Sequence, residues 1–246
     1  MKSYGQFCPV AQTMEILGER WTLLVVREML AGSRRFNEVA RGVPMMSRTM
    51  LSQRLRQLED AGVVEKRPRR GASGHEYQLT EAGLELRPLI EHAGVWGQRW
   101  ARREPDREQL DAGLLMWDMR RNLEPGVLPP GRTTVEFVYR GAARGQGRFW
   151  IVSTDDEIDL CLSPPGFAID LQVRCHLRTM TQIWMGDIDI RAAIRDEALV
   201  LEGARALQRA FPKWLALNVF ADVQRPRRDV TSVTRPRRAS RAKDRA

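Results

Sequence analysis

A chain of 246 residues with 43% hydrophobic and 29% charged side chains is long enough for two packed units, and its net charge of +9 favours anionic partners. The charge is uneven: residues 1–104 hold 17 Lys and Arg against 12 Asp and Glu, residues 105–223 hold 14 against 17, and residues 224–246 hold 9 against 2. The middle stretch is thereby excluded as a nucleic-acid surface, and Cys8, Cys161 and Cys175 are too few and too scattered for a disulfide framework or a zinc knuckle.

Pro9 to Gly18 and Trp21 to Ala31 read as two helices, the second with Trp21, Leu24, Val25 and Met29 at helical apolar spacing. A third helix has Ser33 as candidate cap and ends at Gly42, before Val43-Pro44. Ser47 is a good N-cap for a fourth, running to about Ala61, where Gly62 supplies a left-handed stop. Leu51, Leu55 and Leu58 fall on one face of it. The opposite face carries Thr49, Ser52, Gln53 and Arg56, with Arg48 in the first turn beside the Ser47 cap. Side chains of these types read base edges, because a guanidinium can donate twice to guanine and a carboxamide can pair with adenine.

Val63 to Arg67 and His75 to Leu79 then suit two strands around a basic, glycine-containing tip, Pro68 to Gly74. Arg67, Arg69, Arg70 and His75 of this hairpin would reach phosphates or the minor groove, adding affinity with little sequence information. Helix, turn, helix and basic hairpin in that order predict a winged helix-turn-helix that binds double-stranded DNA. The competing reading is a solvated, mixed-charge face with no partner.

Residues 7–83 resemble the HxlR family of bacterial winged-helix regulators. The matching runs are FCPV, ILGERWTLLVVREMLAGSRRFNEV, SRTMLSQRLRQLEDAGVV and EYQLTEAG. The resemblance implies a dimeric transcription regulator, often acting on a neighbouring gene in response to a chemical cue. It also implies a role for Cys8, since several relatives use a cysteine of the FCPV motif to sense oxidants or electrophiles. The alternative for Cys8 is a small buried residue near the dimer interface. The chain departs from the family in its turn, Pro44-Met45-Met46, which lacks the usual glycine, and in a wing tip that is not proline-rich.

Thr80 can cap a helix from Glu81 to about Arg103, kinked by Pro88 and carrying Leu86, Leu89, Ala93, Trp96 and Trp100 as an apolar seam. In relatives the N-terminal and final helices form the dimer interface, so the seam suits a homodimer; an intrachain packing face is the alternative. Pro105 marks a boundary, giving residues 1–104 as the DNA-binding and dimerisation domain. Residues 106–123 are an amphipathic helix, and a Pro/Gly-rich loop occupies 124–131.

Beyond it the pattern alternates: Val135, Phe137 and Tyr139; Gly147 to Ser153; Ile158, Leu160 and Leu162; then Phe167, Ile169, Leu171 and Val173. Helices around 177–185 and 188–195, a strand over 198–202 and a closing helix over 204–216 complete an α+β unit. One helix, four strands, two helices, a strand and a helix resemble the sterol-carrier-protein fold, over roughly residues 106–217. That resemblance implies an apolar cavity for a hydrophobic molecule within a ligand-binding domain spanning 105–223. Met180, Trp184, Met185, Phe211 and Trp214 are candidate lining residues, and equally candidates for a closed core. The basic stretch 224–246 has RPRR twice and almost no apolar side chain, so it is expected to be a disordered arm that holds the DNA backbone or merely solubilises.

Chemistry for catalysis is missing. His75, His92 and His176 have no metal-ligand spacing, and HExxH, GxSxG and phosphate-loop patterns do not occur. Asp155-Asp156 and Asp187 with Asp189 suit turns and caps. No metal, no cofactor and no enzyme activity are expected. The opening residues carry neither a long apolar run nor a charged-then-apolar leader, which argues against export or membrane insertion and makes the cytoplasm, on the nucleoid when DNA is bound, the simplest home. The expectation is a repressor answering to a hydrophobic effector or a Cys8-reactive signal. The alternative is a hydrophobic-ligand carrier whose winged helix serves mainly for dimerisation.

Overall fold

A computed structural model describes residues 3–69, 71, 73–101, 103–106, 109–123, 126, 128–154 and 157–224. Arg70, Asp155-Asp156 and all of the basic stretch after Gln224 lie outside them.

The first unit runs α1 (Pro9–Leu17), α2 (Thr22–Leu30), α3 (Phe36–Gly42), α4 (Arg48–Asp60), β1 (Val64–Pro68) and β2 (His75–Leu79). In α4 the Ser47 hydroxyl accepts from the Met50 N–H at 3.2 Å, and Gly62 turns the chain away at φ 71°. Leu51, Leu55 and Leu58 close a core with Val25, Val26, Met29, Val39 and Val43. Each such burial contributes about 1.5–3 kcal/mol, so this face fixes how α4 lies on its neighbours. β1 pairs antiparallel with β2 from Val64 opposite Leu79 to Pro68 opposite His75. The Tyr77 N–H donates to the Arg34 carbonyl at 2.7 Å and ties the hairpin to the entry of α3.

Two expectations change here. Ser33 does not cap α3: its hydroxyl is buried with no hydrogen-bond partner among the described residues, and the helix starts at Phe36. The Glu38 carboxylate instead reaches back to accept from the N–H groups of Arg34 and Arg35, at 2.9 Å each. The predicted helix over 81–103 is also broken in two. α5 (Glu81–Leu84) starts on the Thr80 hydroxyl, α6 (Arg87–Trp96) restarts with Pro88 in its first turn, and a π-helical turn, Gly97–Ala101, ends it. A first-turn N–H has no helical acceptor, so proline begins a helix there rather than kinking one.

The second unit opens with α7 (Ala112–Arg121), where Asp111 accepts from the Leu114 N–H at 3.0 Å. β3 (Thr133–Arg140), β4 (Arg148–Ser153), β5 (Ile158–Cys161) and β6 (Leu171–His176) follow, then α8 (Leu177–Trp184), α9 (Ile190–Arg195), β7 (Leu199–Gly203) and α10 (Arg205–Trp214). The sheet order is β5-β4-β3-β6-β7, with β3 and β6 parallel and the other neighbours antiparallel. Val135, Phe137, Tyr139, Ile151, Val173 and Cys175 share one core with Met116, Met119, Met180, Ile183, Phe211 and Trp214 from the helices. The fourth predicted strand begins late. Phe167 and Ile169 are 43% and 46% exposed, and pairing starts only at Leu171, past Pro164, Pro165 and a Gly166 at φ 80°.

The units meet where α3 packs on α7. There the fully buried carboxylate of Glu28 is met by Arg27 at 2.6 Å, by Arg121 at 2.9 and 3.4 Å, and by the Trp117 indole N–H at 3.4 Å. Arg27 also donates to the Gly42 carbonyl at 3.0 Å, and a Cβ on Gly42 would lie 1.8 Å from the Glu28 carboxyl carbon. Asp118 pairs with Arg121, while burial pushes its own carboxyl above the usual range. Elsewhere along the contact the Phe220 ring covers Gly94 of α6, and Arg178 donates to the Pro105 carbonyl at 2.7 Å.

Removing one partner of a buried ion pair strands the other charge. Arg121→Ala should therefore lower stability by about 3 kcal/mol in denaturant unfolding. A loss below about 1 kcal/mol, the size of a surface pair, would show that Arg121 does not hold Glu28.

Candidate nucleic-acid interface

α4 sorts its three arginines by position. Arg54 points inward: it is 8% exposed, meets Glu19 at 2.8 Å and the Arg20 carbonyl at 3.2 Å, and also bonds Gln57. It thereby braces the turn between α1 and α2, where Trp21 is held at φ 79°, an uncommon conformation for a bulky residue. Arg48 lies along α3, donating to Asn37 at 3.0 Å and stacking on Phe36 at 5.6 Å. Arg56 is exposed and forms no ion pair or hydrogen bond among the described residues.

Ser47, Arg48, Thr49, Ser52, Gln53 and Arg56 are all exposed, and steps of three and four place the last four of them on one helical face. Thr49, Ser52, Gln53 and Arg56 make no side-chain hydrogen bond among the described residues, so their donors and acceptors are available to a partner. The wing is different. Arg67 is paired with Glu65 at 2.6 Å, and Arg69 bends back to the Ser73 carbonyl at 3.5 Å. His75 is exposed opposite Pro68, and Arg70 is outside the described residues.

Sequence reasoning missed Asn37 and Arg41. With Ala40, Pro44, Met46 and Arg48 they line an open cleft of about 400 Å³ between α3 and the start of α4. Their spacing of four on a short helix was the available signal, since such a pair shares a face.

Cys8 immediately precedes α1 and is partly exposed, and the N–H groups of Ala11 and Val10 hold its thiol below the ordinary value. Burial acts the opposite way on the other two, raising Cys161 and pushing Cys175 up to about 12. Met180, Trp184, Phe211 and Trp214 sit in the closed core of the second unit, and Met185 is half-buried against it. Among the described residues no group of three or more His, Cys, Asp or Glu is placed to hold a metal, and no helix is long and apolar enough to cross a membrane. Asp189 caps α9 through the Ala192 N–H at 2.7 Å.

A helix-turn-helix with a polar outer helix face and a two-stranded wing defines a winged-helix DNA-binding protein. Residues 16–105 match the HxlR-like helix-turn-helix family. An uncharacterized HTH-type transcriptional regulator of Mycobacterium tuberculosis is 43% identical over 94 residues, 37% of this chain and 58% of that protein. The uncharacterized HTH-type transcriptional regulator YvaP of Bacillus subtilis is 36% identical over 102 residues, 39% of this chain and 91% of its own. The solved reduced form of the transcriptional regulator YodB from B. subtilis is 29% identical, covering 39% of this chain and 97% of that one, with a TM-score of 0.35. The chain belongs to the HxlR family of helix-turn-helix transcriptional regulators. It spans little more than half the length of the mycobacterial relative.

The thiolate is the reactive form of cysteine, so a thiol with a lowered pKa reaches it at lower pH than a free one. Iodoacetamide at about pH 7.5 is expected to label Cys8 first, Cys161 slowly and Cys175 only after unfolding, read by peptide mass spectrometry. Labelling of Cys175 ahead of Cys8 in the folded chain would contradict this order.

Proposed function

We propose that this regulator is a homodimeric repressor that places two copies of α4 in successive major grooves, ~34–36 Å apart, on a pseudo-palindromic operator. The observation that carries this reading is the outer face of α4, where Thr49, Ser52, Gln53 and Arg56 stand exposed and make no side-chain hydrogen bond among the described residues, opposite the leucine face that packs into the core. Thr49, Ser52, Gln53 and Arg56 read base edges, while Ser47, Arg48 and the wing residues Arg67, Arg69, Arg70 and His75 position the backbone. Asn37 and Arg41 join the positioning set. Tyr4, Phe7 and Val10 around α1, with Leu89 and Trp96 of α6, are exposed apolar side chains that support self-association.

Residues 1–104 serve DNA binding and dimerisation, 105–223 form a sterol-carrier-like effector domain, and 224–246 add non-specific hold on DNA. The element order of the second unit favours that assignment. So does the Trp214 indole N–H, buried without a hydrogen-bond partner among the described residues, which a ligand oxygen would satisfy. Because its neighbours are closely packed, a hydrophobic effector has to enter by displacing Met180, Trp184, Met185 or Phe211. Cys8 modification is the second route of control, favoured by its lowered thiol pKa. The competing function, a carrier that uses the winged helix to dimerise, leaves the free polar face of α4 without a role. The protein works in the cytoplasm, on the nucleoid.

Fluorescence anisotropy tests the central claim, comparing DNA upstream of the protein's own gene with a scrambled duplex at ~150 mM salt. Arg56→Ala should weaken binding to the upstream duplex by about 1–3 kcal/mol and erase the preference. Deleting 224–246 should weaken both duplexes alike and flatten the salt dependence. Equal, weak binding to both duplexes by the wild type would favour the carrier.

A further inference from the structure

We infer that the crevice between the two units is a binding site for a small monocarboxylate, and that the occupant competes with DNA for Arg41. The crevice is lined by Arg35, Glu38 and Arg41 of the α3 region, by Trp117 and Arg120 of α7, and by Asp159 and Leu160 of β5. The three arginines differ in how far they are already engaged. Arg120 uses its Nε to donate to the Ile158 carbonyl at 2.7 Å, and its terminal nitrogens make no other hydrogen bond among the described residues. Arg41 lies over the Trp117 ring at 5.2 Å and forms no ion pair or hydrogen bond among the described residues. Arg35 is held at one edge by Glu38, 3.6 Å away. A guanidinium with free N–H groups takes a planar carboxylate in two parallel bonds.

Size and charge select the class of ligand. The crevice encloses about 180 Å³, below the range of about 300–1,000 Å³ typical of drug-sized sites, so only a small molecule fits. Its rim sets three guanidiniums against the carboxylates of Glu38 and Asp159, an excess of a single positive charge. A monoanion balances that excess, whereas a dianion is left facing two carboxylates. Leu160, which is half-buried, offers apolar surface at one side, while the buried Trp117 ring backs the Arg41 and Arg120 guanidiniums and holds them in place.

Arg41 gives the site a consequence for DNA, and this part rests on the DNA-binding reading. The same side chain lines the open cleft with Asn37 and Arg48 beside the recognition helix. An anion that engages Arg41 withdraws it from a phosphate, so the two ligands oppose each other, and each weakens the other by the same factor.

Calorimetry on the full chain, with sodium benzoate as the probe and sodium chloride at matched ionic strength as the reference, tests the site without any DNA. Benzoate should bind, and Arg41→Gln and Arg120→Gln should each weaken it about ten-fold or more, the loss expected for one charge-assisted hydrogen bond. Arg41→Gln changes an exposed side chain, so it decides the matter even if Arg120→Gln fails to fold. No heat beyond chloride, or full binding by Arg41→Gln, overturns the site. Tighter binding of inorganic phosphate than of benzoate overturns the monocarboxylate assignment. In anisotropy, saturating benzoate should weaken wild-type binding to any duplex and leave Arg41→Gln unchanged. An equal effect on both proteins overturns the competition for Arg41, while the calorimetric result stands independently of whether the chain prefers its own upstream DNA.

Discussion

The arrangement of the molecule turns on one carboxylate placed out of reach of water. A lone charge in such a position costs several kcal/mol, so Glu28 is tolerable only because Arg27, Arg121 and the Trp117 indole converge on it. Two of those partners come from the second unit. Each half therefore completes the electrostatics of the other, and neither presents a surface that is comfortable alone. The same carboxylate occupies the space over Gly42, at the end of α3, and Arg27 bonds the carbonyl there. The helix-turn-helix is in this way set against α7 by charged and hydrogen-bonding groups as well as by apolar contact.

Much of the helix-turn-helix was legible. Ser47, the leucine face and Gly62 delimit α4 within a residue at either end, because capping, apolar periodicity and a left-handed stop agree there. Alternation located β3 and β5, and short runs of strand-forming apolar residues located β4 and β7. The failures are equally physical. Phe167 and Ile169 alternate like strand residues, but two prolines and a glycine before Leu171 keep the backbone off the ladder. The pattern 86, 89, 93, 96, 100 hid a helix restart at Arg87, since Pro88 fits a first turn as well as it would kink an interior. Ser33 has a capping side chain, yet Glu38 fills that role from inside α3.

The site was half legible. A polar face on an amphipathic helix can be read from spacing, so the shared exposed face of Thr49, Ser52, Gln53 and Arg56 was legible. Long-range pairing cannot be read that way: one glutamate in an apolar helix gives no hint that its partner lies 93 positions on. Helical spacing does put Arg54 on the leucine face, three residues after Leu51 and four before Leu58, and Arg56 on the opposite one. What spacing does not show is the turn that Arg54 braces through Glu19 and the Arg20 carbonyl.

Gly94 and Phe220 bear on how the two halves stay together. The Phe220 ring fills the place a side chain at 94 would take, so the last described turn of the second unit is seated on α6 of the first. Together with the Glu28 cluster this makes two attachments far apart in sequence, flanking the peptide link between α6 and α7. A short link between surfaces that already meet keeps them at high effective concentration, and Arg178, which donates to the Pro105 carbonyl, fastens that link at one point along its course.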